Sequence, residues 1–138
     1  MRLTLIAHTP NPEAMIAAAM LTTTSGVKPS TIYERLLANP EKVGDVISRL
    51  EVQHGSILEH NRLVWLLEAE EQLVLDTLLK TKFFNFTRLG DDEWLMSANL
   101  RAVLEYSEEC EGELGDSLRD SMITVTPNVC HFAGRRKT

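Results

Sequence analysis

Basic side chains are scarce. Fourteen Lys and Arg against twenty Asp and Glu give a formal charge of −6, which argues against broad binding to nucleic acid or an anionic membrane, since both need a basic surface. Any anionic ligand must be held by a local basic cluster. Cysteine is limited to Cys110 and Cys130 without CxxC spacing, so no disulfide framework is expected and both read as reduced thiols. The longest apolar stretch, Met15 to Leu21, is far too short to cross a bilayer. No charged-then-apolar leader opens the chain, and a cytoplasmic protein without a membrane anchor is expected. The five prolines mark element boundaries, not a linker, and no repeat period is visible.

What is present fits an ordinary globular chain. With 138 residues, 43% hydrophobic and 25% charged, it has enough apolar material for one domain with a real core. That domain is expected over residues 1–132, followed by a basic tail at 133–138 expected to be disordered. Residues 2–9 alternate as an opening strand stopped by Pro10. Asn11-Pro12-Glu13 offers an N-cap, a first-turn proline and an early acid, predicting a helix from Pro12 to about Leu21. Its Met15, Ala18, Ala19 and Thr22 face suits packing on a sheet. Thr31 and Glu34 have capping-box spacing for a short helix through Ala38, and Asn39-Pro40-Glu41 starts another, with Val43, Val46, Ile47 and Leu50 as its stripe.

Leu63 to Leu67 is a nearly continuous apolar run, read as a strand buried on both faces. Glu70 to Lys80 returns to helical spacing through Leu73, Val74, Leu78 and Leu79. Lys80 to Arg88 interleaves basic residues with three phenylalanines, an arrangement able to offer charge to a phosphate and rings to a base or flavin, although by itself the pattern favours rings in the core and lysines in water. Glu93 to Ala98 reads as a strand entering a helix capped by Asn99, with Leu100, Val103, Leu104 and Ser107 facing inward. Arg101 then stands in the first turn, where a cation is unfavourable unless an anion is near. The anion is either a ligand or one of the chain's many acids. Residues 108–116 read as a loop or frayed helix, and Leu114, Leu118, Met122 and Val125 as a last helical stripe ended by Pro127.

The densest chemistry lies at residues 53–60, Gln53-His54-Gly55-Ser56-Ile57-Leu58-Glu59-His60. His54 and Ser56 can hydrogen-bond a phosphate or a planar heterocycle, while Glu59 and His60 can pair or hold the turn. A polar turn that satisfies only its own backbone is an equal reading. The spacing matches neither zinc-binding His-Glu-x-x-His nor its inverse, so no metal is expected.

Taken together, these motifs resemble the flavin-dependent thymidylate synthases, in register over nearly the whole chain. That family has Gly-His-x-Ser-x-Leu-Glu-His, from which residues 53–60 differ only at Gln53. Its Arg-His-Arg, seven residues, then Ser-x-Arg-Tyr is matched in position by Lys80-Thr81-Lys82, seven residues, then Gly90-Asp91-Asp92-Glu93, and its Asn-x-Arg by Asn99-Leu100-Arg101. The resemblance implies an α+β fold with a small mixed or antiparallel sheet packed by helices. It implies a homotetramer and flavin adenine dinucleotide (FAD) held by His54, Ser56, Asn99 and Arg101, with Lys80 and Lys82 in the basic motif. The family reaction is reductive methylation of deoxyuridylate (dUMP) to thymidylate with methylene-tetrahydrofolate and NADPH. No catalytic residue is assigned by the match.

Departures from the pattern weaken the substrate seat. Gly90 replaces a serine donor, Asp92 stands where an arginine is usual, and Cys110 replaces an arginine nine residues after Asn-x-Arg. Charge-assisted contacts contribute about 1.5–3 kcal/mol each, and lysine lacks the bidentate geometry of arginine. A helical segment usual before the Asn-x-Arg strand is also missing. The expectation is therefore a divergent homologue with impaired or altered activity that binds flavin or a nucleotide. The alternative is an inactive structural or regulatory homologue acting through oligomerisation or a partner.

Overall fold

Four segments of alternating apolar residues pair into one antiparallel sheet in the computed structural model, which describes residues 1–49 and 55–135. The strands are β1 (Arg2–His8), β2 (Arg62–Glu68), β3 (Asn85–Gly90) and β4 (Glu93–Asn99), ordered β1-β2-β4-β3. Among the described residues eight helices complete an α+β fold: α1 (Pro12–Thr22), α2 (Pro29–Leu37), α3 (Pro40–Ile47), α4 (Gly55–Leu58), α5 (Glu71–Lys80), α6 (Leu100–Glu109), α7 (Glu113–Val125) and α8 (Pro127–Arg135). The chain divides into two compact units, the first Met1–Thr9 with Glu59–Ser121, the second Pro10–Leu58 with Met122–Thr138.

In the first unit, β2 pairs with β1 on one side and β4 on the other, so Leu3, Leu67 and Trp94 share a row, as do Leu5, Trp65 and Met96. Leu63, Trp65, Leu67, Trp94, Met96 and Ala98 are buried, and a fully buried large apolar side chain contributes about 1.5–3 kcal/mol. Both indoles are satisfied, Trp65 Nε1 donating to Ser121 Oγ at 3.2 Å and Trp94 Nε1 to the Ala69 carbonyl at 3.3 Å. The continuous apolar run of β2 is not buried on both faces, however. Leu66 is 41% exposed and Val64 half-buried. In this antiparallel sheet one face packs on the core and the other is open, which period-two alternation hid because the open face is apolar too.

The helix over Glu71–Lys80 forms as expected, but its inward residues are Val74 and Thr77, while Leu78 and Leu79 are exposed. Of the three interleaved phenylalanines only Phe84 is fully buried, its ring 5.2 Å from Tyr106 and 6.4 Å from Phe86. Gly90 to Glu93 proves to be a tight hairpin between β3 and β4, with Asp92 at φ 56° and its carbonyl accepting from Ala69 N at 2.9 Å. Aspartate tolerates that left-handed conformation better than most side chains.

The second unit is helical among its described residues. In it, α1 packs on α2 and α3, and its buried residues centre on Ile16, Ala17 and Met20. Asn11 occupies the cap position but makes no side-chain cap, taking φ 47° with Nδ2 3.5 Å from Tyr33 Oη. The helix ends where Thr22 and Thr23 turn their hydroxyls back onto the Ala18 and Met20 carbonyls at 2.6 and 2.8 Å, competing with helix propagation. Pro29 at N1, not Thr31, starts α2. Asn39 does cap α3, accepting from Lys42 N at 3.3 Å, and Val43, Val46 and Ile47 are buried; Leu50 lies outside the described residues. Beyond Pro127 the chain does not stop being helical. Proline serves there as the first residue of α8, which includes Arg135; residues 136–138 lie outside the described residues.

Glu13 fastens α1 to α8. Its carboxylate accepts from Val129 N at 2.9 Å and Asn128 Nδ2 at 3.1 Å, yet burial outweighs these bonds and raises its pKa above the ordinary carboxylate value. A raised folded-state pKa means the native chain binds the proton more tightly, so this group's contribution is full below the unfolded pKa and is lost as pH rises through the folded one. The unfolding free energy of the native chain relative to Glu13→Gln should therefore fall as pH increases from the acid range. Urea unfolding across pH checks this, and a difference that grows with pH would contradict it.

Candidate functional site

The site grows from the junction of β4 and α6, where strand passes to helix with no loop between. Asn99 holds an extended backbone (φ −78°, ψ 158°) and its side chain accepts from Ala102 N at 2.8 Å, satisfying one of the helix's orphan donors. A second, Leu100 N, donates to the Asn61 carbonyl at 2.7 Å. The cap expected at Asn99 is therefore present, and its oxygen is committed to the helix.

Arg101 follows in the first turn and is not unpaired. Its Nη1 meets Glu59 Oε1 at 2.9 Å and its Nε meets Glu105 Oε1 at 3.1 Å. These partners, Glu105 first and Glu59 second, hold the guanidinium above its already high pKa. The two carboxylates offset the unfavourable placement of a cation at a helix N-terminus. Glu59 belongs to the 53–60 segment, so one ion pair joins the two stretches of chain that sequence inspection singled out. The arginine's charge is spent on protein acids.

Asn61 supplies the most unusual polar group nearby. It is 1% exposed, and among the described residues neither Oδ1 nor Nδ2 of its side chain has a hydrogen-bond partner. A buried amide left unsatisfied costs about 1–3 kcal/mol, so a polar atom reaching it would be strongly stabilised. Its backbone carbonyl, two residues beyond Glu59, is bonded to the start of α6, one residue before Arg101.

Lys80 and Lys82 lie in a separate cleft of about 300 Å³ in the first unit, lined also by Phe83, Glu105, Tyr106, Glu109 and Cys110. Lys82 Nζ sits 5.6 Å from the centroid of the Phe83 ring, a cation–π arrangement. Glu105 connects this cleft to Arg101, because Arg101, Glu105 and Glu109 recur at four-residue spacing along α6. Sequence inspection passed over that acidic stripe, although its i, i+4, i+8 spacing was readable once the helix was placed.

Ser56 is exposed in the short α4 of the second unit, and His54 lies outside the described residues. Gly90 and Asp92, matched in position to a substrate-binding motif, form the β3–β4 turn. Among the described residues no group of three or more His, Cys, Asp or Glu is arranged to hold a metal ion, and no helix is long and apolar enough to cross a membrane. Compared with known proteins, the chain matches no family model and no curated protein.

Since Asn99 carries the junction, Asn99→Ala should destabilise the protein by about 1 kcal/mol, while Asn99→Asp should retain most of the stability. Urea unfolding of both variants checks this, and a loss below about 0.3 kcal/mol in Asn99→Ala would show that the cap is dispensable.

Proposed function

We propose that the protein is a divergent relative of the flavin-dependent thymidylate synthases, built on that family's fold, which binds FAD weakly and has lost efficient turnover of dUMP. The observation that carries this reading is the Arg101–Glu59 ion pair at 2.9 Å, because it couples the Asn-x-Arg and Leu-Glu-His motifs on which the resemblance rests. An accidental likeness of two short motifs gives no reason for them to meet. The reading extends to a cytoplasmic protein that assembles as a homo-oligomer.

The donor set fits part of a flavin. The buried, unpartnered amide of Asn61 suits the polar edge of a heterocyclic ring, which offers both donors and acceptors. Arg101 suits a phosphate or an electron-rich ring edge only after leaving Glu59 and Glu105. A bound flavin would supply hydride transfer, with the protein contributing position and electrostatics. For dUMP the residues fit poorly. Lys80 and Lys82 share their cleft with Glu105 and Glu109, so a nucleotide phosphate there would meet as many negative charges as positive.

Competition between Glu59 and the ligand for Arg101 is open to direct test. Glu59→Gln should tighten FAD binding several-fold by removing one of the guanidinium's two carboxylate partners, and Arg101→Ala should weaken it about tenfold. Fluorescence titration of FAD against the three proteins measures both. Equal affinities in all three, or no binding to any, would overturn the proposal.

A further inference from the structure

The open face of the sheet has a composition that needs explaining. Register places Thr4, Leu66, Leu95 and Thr87 in one row and Ala7, Val64, Ser97 and Asn85 in the next. Leu66 is 41% and the bulged Leu89 54% exposed. At one end of the face stand Glu68 and Glu93, with Arg2 beside Glu68 at 3.7 Å. At the other stands Arg62, held on this face by Nη2 at 3.2 Å from Ser97 Oγ. Two positive and two negative charges leave the face neutral on a chain whose formal charge is −6.

We propose that this face pairs with the same face of a second copy of the chain, about a two-fold axis lying between the sheets and crossing the strands. Such an axis reverses strand direction between copies. Glu68 and Glu93 of one copy then lie over Arg62 of the other, and the reverse contact forms by symmetry, as an isologous interface requires. The alternative axis, parallel to the strands, sets the acidic ends against each other and is disfavoured by repulsion. Under the favoured axis the Leu66 and Leu95 row covers the partner's Val64 and Ser97 row. The small side chains of Thr4, Ala7, Ser97 and Thr87 permit the roughly 10 Å sheet separation of a sandwich.

A ready recess receives the partner's arginine. A depression of about 370 Å³, lined by Arg2, Leu66, Glu68, Leu89, Glu93 and Trp94 among others, opens at the acidic end of the face. The partner's Arg62 arrives there with its stem on leucine and its guanidinium between carboxylates, a geometry that suits arginine's fork. Four strands spaced about 4.8 Å apart and about seven residues long give roughly 450 Å² per copy. That total lies at the small end for specific interfaces, so the pairing is weak and concentration-dependent. Flavin plays no part in it, and its failure would leave the flavin reading untouched.

Sedimentation equilibrium of the full chain without flavin tests the pairing. The mass should rise through the micromolar range. Leu66→Glu and Arg62→Glu should each weaken association at least about tenfold, and the double variant Arg62→Glu/Glu93→Arg should recover part of the loss by restoring the 62–93 contact, formed twice by symmetry, with signs exchanged while Glu68 stays in place. Circular dichroism establishes that each variant is folded, and the exposed position of Arg62 makes that substitution compatible with the sheet. A wild-type chain that stays monomeric, an unchanged dissociation constant in folded Leu66→Glu, or no recovery in the double variant would overturn the proposal. A monomer would reassign the face to a different protein.

Discussion

Everything in the first unit depends on the burial of one face of β2. The strand is hydrogen-bonded on both sides, to β1 and to β4, and Trp65 at its middle is wholly buried. A one-residue slip would turn Leu63, Trp65 and Leu67 out to solvent, so register is fixed by hydrophobic burial. Fixed register then carries the site, because Arg62 lies opposite Asn99 and Asn61 therefore stands at the start of α6. The Leu100–Asn61 backbone bond and the Arg101–Glu59 pair both follow from that pairing.

The junction itself is poised between two electrostatic states. With Glu59 and Glu105 engaged, Arg101 is neutralised and the start of α6 has little call for an external anion. Released, the same guanidinium adds to the positive end of the helix macrodipole, which attracts negative charge. The structure thus combines a retained arginine with internal competitors for it. Such competition lowers affinity by the difference between protein and ligand contacts and leaves the fold unchanged.

Local signals in the sequence located most elements but not their partners. Asn99 and Asn39 cap as their spacing indicates, and the strand through Trp94 to Ala98 forms where alternation places it. Asn11 does not cap, because its backbone goes left-handed; the helix through Leu114 to Val125 ends before Pro127 as expected but is not the last, because proline also opens a helix there. The two faces of β2 could not be told apart by pattern when both are apolar. Of the two ion-pair partners of Arg101, Glu105 was readable at i+4, but Glu59 was not. Glu59 lies 42 residues earlier in the chain, and only the antiparallel pairing of β2 with β4 brings it within reach.

The central claim is that the β4–α6 junction is a ligand seat held shut by Glu59. A two-dimensional amide NMR titration of the isotopically labelled protein with FAD tests it residue by residue. The account predicts the largest shift changes at Glu59, Asn61 and Asn99 to Ala102, with the Arg101 Nε–H signal moving as its carboxylate partners leave. Changes confined to other surfaces, or a spectrum indifferent to FAD at millimolar concentration, would contradict it.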